Sequence, residues 1–202
     1  LFLIFVKKRS TFLEVLLGVV MGVMMMTNTW DVPIFGLLLC VWSFGKAISN
    51  QREIGHLIKT AFVILLVMAL TALPWWMHFI PISSGIRVVQ LRSPFWQLAV
   101  LWGLSGIISL LGFWGNKDDD YRWANRAIII TAILLVIIPE LIYAKDIYPD
   151  HPRANTMFKL TYSASIMFFV ILGGTIGKFV KQIIFKQNWK YKVGVVAGLG
   201  VF

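Results

Sequence analysis

The chain has little of the chemistry on which soluble enzymes rely. It has one cysteine, Cys40, and nine acidic residues against nineteen Lys and Arg. The lone cysteine lies in an apolar segment, so the sequence excludes both a disulfide framework and a thiolate metal site within it. No His-Glu-x-x-His pattern or nucleophile elbow is present, which disfavours a protease or metal hydrolase. A strict alternation of apolar and polar residues is also missing, and this argues against a transmembrane β-barrel.

Apolar residues, in contrast, are abundant. They make up 58% of the chain, with nine Trp and fifteen Phe, and the mean hydropathy is +0.79. The apolar runs suffice for about six or seven membrane crossings at roughly 20 residues each. The sequence predicts an all-α, polytopic transmembrane helical bundle with about six complete spans and partial spans at both ends. We expect one transmembrane domain over residues 1–202, as an internal fragment of a longer protein, because residues 193–202 stop inside an apolar run.

Six complete spans are predicted along the chain. They are Phe12–Met26, Val32–Ala47, Leu57–Trp76, Phe95–Trp114, Ala127–Tyr143 and Leu160–Gly177. Thr11 and Glu14 fit a capping box at the start of the first span, in which the two side chains satisfy free backbone amides. Residues 78–94 are too polar to span a membrane and too apolar for a free loop. We expect this segment to lie along a membrane interface.

Lys and Arg are distributed unevenly over the two sides of this topology. Fourteen of the nineteen fall on the side of the basic cluster 7–9 and five on the other. Because cytoplasmic loops carry the excess of positive charge, the cluster is expected in the cytoplasm of a multi-pass cell-membrane protein. Asp31, Glu140 and Asp146 then face the extracytoplasmic side. The same bias explains the net charge of +10 without a nucleic-acid partner.

Ionisable residues concentrate between positions 139 and 159, at the junction of two strongly apolar segments. A charge near hydrocarbon costs at least a few kcal/mol unless it is paired or hydrated, so such clusters usually have a function. Glu140 ends an apolar helix, where partial burial suits it to proton transfer. Tyr143 is expected one turn further on the same helix face. Asp146 can share a site with Glu140 only if the helix ends early.

Two further groups are predicted on the same side. Asp31 closely precedes Pro33, a common pattern at helix starts, so we interpret it as a cap, alone or combined with a functional role. Arg87 and Arg92 suit the binding of a lipid phosphate, because guanidinium pairs well with phosphate oxygens. The alternative is that both arginines anchor the segment to anionic lipid.

Two blocks carry a resemblance to a known family. Residues 28–33 read Asn-Thr-Trp-Asp-Val-Pro, and Glu140-x-x-Tyr143-x-x-Asp146 is followed by Arg-Ala-Asn-Thr-Met-Phe-Lys at 153–159. These blocks resemble the uncharacterised YYY membrane protein family of archaea and bacteria. That family in turn resembles the GT-C class of integral membrane glycosyltransferases. Enzymes of that class take a sugar from a polyprenyl-phosphate carrier and transfer it on the outer side of the membrane.

The resemblance implies roles for the candidate residues, with the lipid bilayer and a polyprenyl-phosphate sugar donor as partners. Asp31 or Glu140, with Asp146 as a third catalytic candidate, would deprotonate the acceptor hydroxyl or help to hold a divalent cation, Mg²⁺ or Mn²⁺. Cationic side chains would neutralise the donor phosphate, and the remaining polar ones would hydrogen-bond sugar hydroxyls. The implied substrate-binding residues are Tyr143, Arg153, Asn155, Lys159, Arg87 and Arg92.

Two other classes of function stay open at this stage. A transporter or lipid flippase also places charges beside interrupted helices, but its substrate site tends to lie near the bilayer midplane. A non-catalytic membrane scaffold would not need the acids at all. The gathering of Glu140, Asp31 and the arginines at one edge favours interfacial chemistry over alternating access.

Overall fold

The computed structural model describes residues 1–80, 85–114, 119–145 and 151–185. Within these ranges the chain forms seven α-helices, one short 3₁₀ turn at Gln51–Glu53 and two three-residue strands. The helices are α1 (Phe2–Lys8), α2 (Thr11–Thr27), α3 (Asp31–Ser49), α4 (Ile54–Trp76), α5 (Phe95–Trp114), α6 (Asp119–Leu141) and α7 (Ala154–Phe185). The strands are β1 (Ile86–Val88) and β2 (Ile142–Ala144). The predicted all-α transmembrane bundle is confirmed.

Four stretches are long and apolar enough to cross a membrane. They are Asp31–Ser49, Gln51–Trp76, Tyr121–Leu141 and Ala154–Lys178. Each has the length of about 20 residues that a bilayer core requires. Helices α2 and α5 contribute shorter apolar stretches, so each of the six predicted spans overlaps one helix. The chain is a multi-pass membrane protein, and which side each end faces stays a prediction.

Helix α2 packs closely along α4 because α2 carries glycines where the two helices cross. A Cβ placed on Gly18 would lie 2.6 Å from the Cβ of Val67, and one on Gly22 would lie 2.6 Å from the Cβ of Thr71. Both distances are far below van der Waals contact. Small residues at such positions let two helix backbones approach each other, as is common in membrane proteins.

The start of α2 differs from the predicted capping box. Its N-cap is Ser10, whose hydroxyl accepts a hydrogen bond from the backbone N–H of Leu13 at 3.4 Å. The carboxylate of Glu14 instead accepts a hydrogen bond at 2.6 Å from the hydroxyl of Thr60 in α4, and Glu14 is only 2% exposed. The prediction was wrong because α4 covers this face of α2 and supplies its own donor.

Helix α6 packs against both α3 and α7. Gly45 of α3 lies so close to the Trp123 ring of α6 that an added Cβ would be 2.6 Å from it. Ala132 of α6 and Ala164 of α7 are fully buried, and α5 packs on the outside of this pair. Alanines and glycines therefore permit close helix contacts here too.

Consecutive spans run in opposite directions, which gives the bundle two distinct ends. The end where α6 stops and α3, α5 and α7 begin is called the Glu140 end. The opposite end, which contains the turn between α3 and α4, is called the Lys46 end.

The two strands pair at the Glu140 end. They are antiparallel, with Ile86 opposite Ala144, Arg87 opposite Tyr143 and Val88 opposite Ile142. Helix α6 therefore ends at Leu141, and the prediction that Tyr143 continues the helix face of Glu140 was wrong. The physical reason is that the backbone after Leu141 finds hydrogen-bond partners in the segment 85–89 rather than in another helical turn.

Candidate functional site

A cluster of three side chains lies at the Glu140 end. Glu140 Oε2 accepts hydrogen bonds from the backbone N–H of Ser93 at 2.7 Å and from Arg153 Nη1 at 2.9 Å. Glu140 Oε1 accepts a hydrogen bond from the Ser93 hydroxyl at 2.9 Å. Arg153 Nη2 also donates to Ser93 Oγ at 3.0 Å, which closes the ring of contacts. We call these residues the Ser93–Glu140–Arg153 cluster.

Partial burial strengthens the hydrogen bonds within this cluster. The side chain of Glu140 is 9% exposed and that of Arg153 is 24% exposed. Hydrogen bonds between charged groups are stronger than neutral ones, and partial exclusion of water strengthens them further. The arrangement therefore fixes an ionised carboxylate and a guanidinium at the edge of the apolar spans.

Three separate elements bring the cluster together. Ser93 precedes Pro94, which lies directly before α5, and proline is favoured at the beginning of helices because its fixed φ suits that position. Glu140 lies in the last turn of α6, and Arg153 directly precedes α7. One residue from the start or end of each of three consecutive spans thus contributes to a single site.

The paired strands lie directly beside the cluster. Tyr143, half-buried, lies opposite the exposed Arg87 in the strand pair. The Thr156 hydroxyl, in the first turn of α7, accepts a hydrogen bond from the backbone N–H of Ala144 at 3.1 Å. The strand after α6 is thereby tied to the start of α7, and Tyr143 is held near Glu140 by chain connectivity.

Asp31 lies at the same end but in a different local setting. It is the first residue of α3, and its Oδ1 accepts a hydrogen bond from Asn28 Nδ2 at 2.9 Å. A carboxylate in the first helical turn is favoured by the helix dipole, as the cap interpretation requires. No hydrogen bond within the described residues joins Asp31 to the Ser93–Glu140–Arg153 cluster.

The other predicted site residues that the structure describes take no part in the hydrogen bonds of the cluster. Arg92 is exposed next to Ser93, whereas Asn155 and Lys159 are half-buried in the first two turns of α7. Asp146 lies outside the described residues. Among the residues that the structure describes, no three His, Cys, Asp or Glu side chains are close enough together to hold a metal ion.

Sequence reasoning missed Ser93 and Thr156. A serine before a proline predicts a helix cap, so nothing local marked Ser93 as the partner of a carboxylate 47 positions away. Thr156 stands inside the quoted block 153–159, and that was the only signal available for it. Both residues act through contacts between distant segments.

Comparison with known proteins places the chain in a family. A family of uncharacterised membrane proteins, DUF2298, matches residues 5–128 and 113–168. The chain belongs to the DUF2298 family. No curated protein matches it, and no solved structure does. The DUF2298 match confirms an uncharacterised membrane protein family, while the YYY name and the resemblance to glycosyltransferases stay predictions.

Proposed function

We propose that this DUF2298 protein is an integral membrane glycosyltransferase that uses a polyprenyl-phosphate sugar donor at the Glu140 end of the bundle. The observation that carries the proposal is the Ser93–Glu140–Arg153 cluster, which holds a guanidinium at the edge of the apolar spans. A lipid-linked sugar presents its phosphate at this level, because its hydrocarbon chain stays within the bilayer. Arginine pairs well with phosphate oxygens in such a setting.

Arg153 is the central phosphate ligand in this proposal. A guanidinium has five N–H donors, and the described bonds of Arg153 to Glu140 and Ser93 engage two of them. Glu140 is then a positioning residue, because it fixes the plane and direction of the guanidinium. Further positive charge comes from Arg87, Arg92 and Lys159, which belong to neighbouring elements of the same end.

Transfer needs a base as well as a phosphate site. The acceptor hydroxyl oxygen attacks the anomeric carbon, and the bond from that carbon to the phosphate oxygen breaks. Its electron pair leaves with the polyprenyl phosphate, whose charge the cations stabilise, and the hydroxyl proton passes to a carboxylate. Asp31 suits this role better than Glu140, because Glu140 already accepts three hydrogen bonds, whereas Asp31 accepts one described bond.

The sugar itself requires neutral hydrogen-bonding groups. Tyr143 and Asn155 are half-buried near the cluster, one in β2 and one in the first turn of α7. A phenol and an amide provide both donors and acceptors for sugar hydroxyls. Asp146 stays a third acidic candidate on the chain between these two elements.

The test uses membranes that contain the protein and a panel of radiolabelled polyprenyl-phosphate sugars. We expect Asp31→Asn to lower transfer by about 100-fold or more, as loss of a general base does. Arg153→Lys should lower transfer because the ammonium cannot keep both contacts to Glu140 and Ser93. The matched control is Glu53→Gln, which removes the ion pair of Glu53 with Arg9 at the Lys46 end and should leave transfer unchanged.

Two results would contradict this proposal. Transfer that survives both Asp31→Asn and Arg153→Lys, at equal protein levels, would remove the Glu140 end from the reaction. A wild-type protein that uses no donor of the panel would refute the proposed donor class.

A further inference from the structure

A groove between α3 and α4 opens at the side of the bundle, away from the Glu140 end. Its volume is about 430 Å³, and its wall is almost entirely apolar. It exists because α4 packs along α2, so α3 and α4 diverge after the turn that joins them. Phe44, Ile58 and Leu65 line the groove and are each more than half exposed. In a membrane these side chains face hydrocarbon.

The length of the groove matches one leaflet. Its lining runs from Gly36 to Ala47 in α3 and from Ile54 to Leu65 in α4. Either stretch measures about 16 Å at 1.5 Å per residue, and half of a bilayer core of about 30 Å measures about 15 Å. The groove therefore extends from the Lys46 end to about the middle of the membrane.

Trp42 forms part of the groove wall. It is only 1% exposed, and its indole N–H is buried and out of reach of a ligand in the groove. The guanidinium of Arg9 lies 5.1 Å from the centre of the Trp42 ring. This contact places the ring near the level of the charged residues that end the span.

The mouth of the groove at the Lys46 end is positively charged. Arg9 is paired with Glu53 and Lys46 is buried, but four exposed cationic residues stand in or beside the elements that frame the mouth. The four are Lys7, Lys8, Arg52 and Lys59. Basic residues next to a span attract anionic headgroups, each contributing on the order of 1 kcal/mol near the surface. The charge of this mouth complements a phosphate.

We propose that the groove binds one chain of an anionic phospholipid from the leaflet at the Lys46 end. The hydrocarbon chain lies between α3 and α4, and the phosphate lies beside the basic mouth. The inference is independent of the proposed transferase activity, because its residues lie at the opposite end of the bundle. It assigns a bound lipid to a site that the sequence did not indicate.

The experiment titrates the purified full chain in detergent with phosphatidylglycerol or phosphatidylcholine of the same acyl chains and counts bound lipids by native mass spectrometry. We expect one retained phosphatidylglycerol, preferred about tenfold over phosphatidylcholine. Ala61→Trp places a large ring in the groove and should lower retention about tenfold. The matched control is Ala99→Trp in α5, an exposed alanine outside the groove, which should leave retention unchanged.

Two further variants separate the headgroup from the chain. Leu65→Trp narrows the groove toward the middle of the membrane, and it should lower retention of both lipids about threefold. Lys59→Glu should lower retention of phosphatidylglycerol and leave that of phosphatidylcholine unchanged.

Each contrary outcome would overturn part or all of the proposal. Equal retention of the two lipids would refute an anionic ligand, and retention unchanged in Ala61→Trp would place the lipid elsewhere. A protein dimer that Ala61→Trp dissociates would show that a second copy occupies the groove. If Ala61→Trp fails to fold, unchanged lipid retention by Leu65→Trp would refute the assigned site by itself.

Discussion

Replacement of Arg153 by alanine tests whether the Ser93–Glu140–Arg153 cluster holds the Glu140 end together. The substitution removes one charge-assisted bond of 2.9 Å to Glu140 and a second bond of 3.0 Å to Ser93 Oγ. It also leaves a carboxylate that is 9% exposed with its two Ser93 donors alone. The cost of this change can be bounded from typical hydrogen-bond energies.

Hydrogen bonds to charged groups contribute about 1.5–3 kcal/mol each. Double-mutant cycles of hydrogen bonds between helices within a membrane, however, give coupling energies of at most about 1.7 kcal/mol. Arg153 is a quarter exposed, so water replaces part of the lost interaction. We therefore expect Arg153→Ala to lower the free energy of unfolding by about 2 kcal/mol. Ser93→Ala in the same background should show a coupling of about 1 kcal/mol with Arg153→Ala, because the two side chains share a bond and a common partner.

The assay is reversible unfolding in mixed micelles of lipid, detergent and dodecyl sulfate, followed by tryptophan fluorescence. Arg92→Ala is the matched control, since this arginine is an exposed neighbour and surface substitutions usually change stability by less than about 0.5 kcal/mol. An Arg153→Ala protein as stable as the Arg92→Ala protein would refute the structural role of the cluster. Strict additivity of Ser93→Ala and Arg153→Ala would refute their direct contact.

Two other substitutions test the packing of α2 against α4 in the same unfolding assay. Gly18→Ala should destabilise the protein by about 1–3 kcal/mol, because the new Cβ would overlap α4. The control Gly103→Ala, with open space around the glycine, should be neutral or stabilising by up to about 1 kcal/mol. Equal effects of the two substitutions would contradict the close contact. Thr60→Val should lower the free energy of unfolding by about 1–3 kcal/mol, since it leaves the buried Glu14 without its donor. The double variant with Glu14→Leu should recover much of that stability. No recovery would contradict the pairing of Glu14 with Thr60.

The span predictions succeeded where hydrophobic length alone determines the element. The predicted Phe95–Trp114 coincides with α5, and Phe12–Met26 differs from α2 by one residue at each end. The predicted Ala127–Tyr143 begins eight residues after the first residue of α6, because the first eight residues of that helix, 119–126, include several charged ones. Hydropathy marks the part of a helix within hydrocarbon, whereas the backbone hydrogen bonds continue beyond it.

The candidate site could be predicted only in part. Glu140 was predicted because charges beside apolar segments are costly and therefore conspicuous in a sequence, and Arg153 because the block 153–159 resembles a known family. Their mutual contact and Ser93 were not found, since three distant segments must meet before the contact exists. Tyr143 was misplaced because a strand pair replaced the last expected turn of helix. Local patterns could not reveal the Glu14–Thr60 bond for the same reason.

The bond between Glu14 and Thr60 also bears on how the protein is assembled in the membrane. Helix α2 leaves the ribosome before α4, and α3 is synthesised between them. Until α4 arrives, the carboxylate of Glu14 has neither the Thr60 hydroxyl nor the cover of α4. A charged residue disfavours insertion of an isolated helix into lipid, so α2 depends on a later helix to become stable. Because α4 is synthesised later, α2 becomes a stable span only after α4 has packed against it.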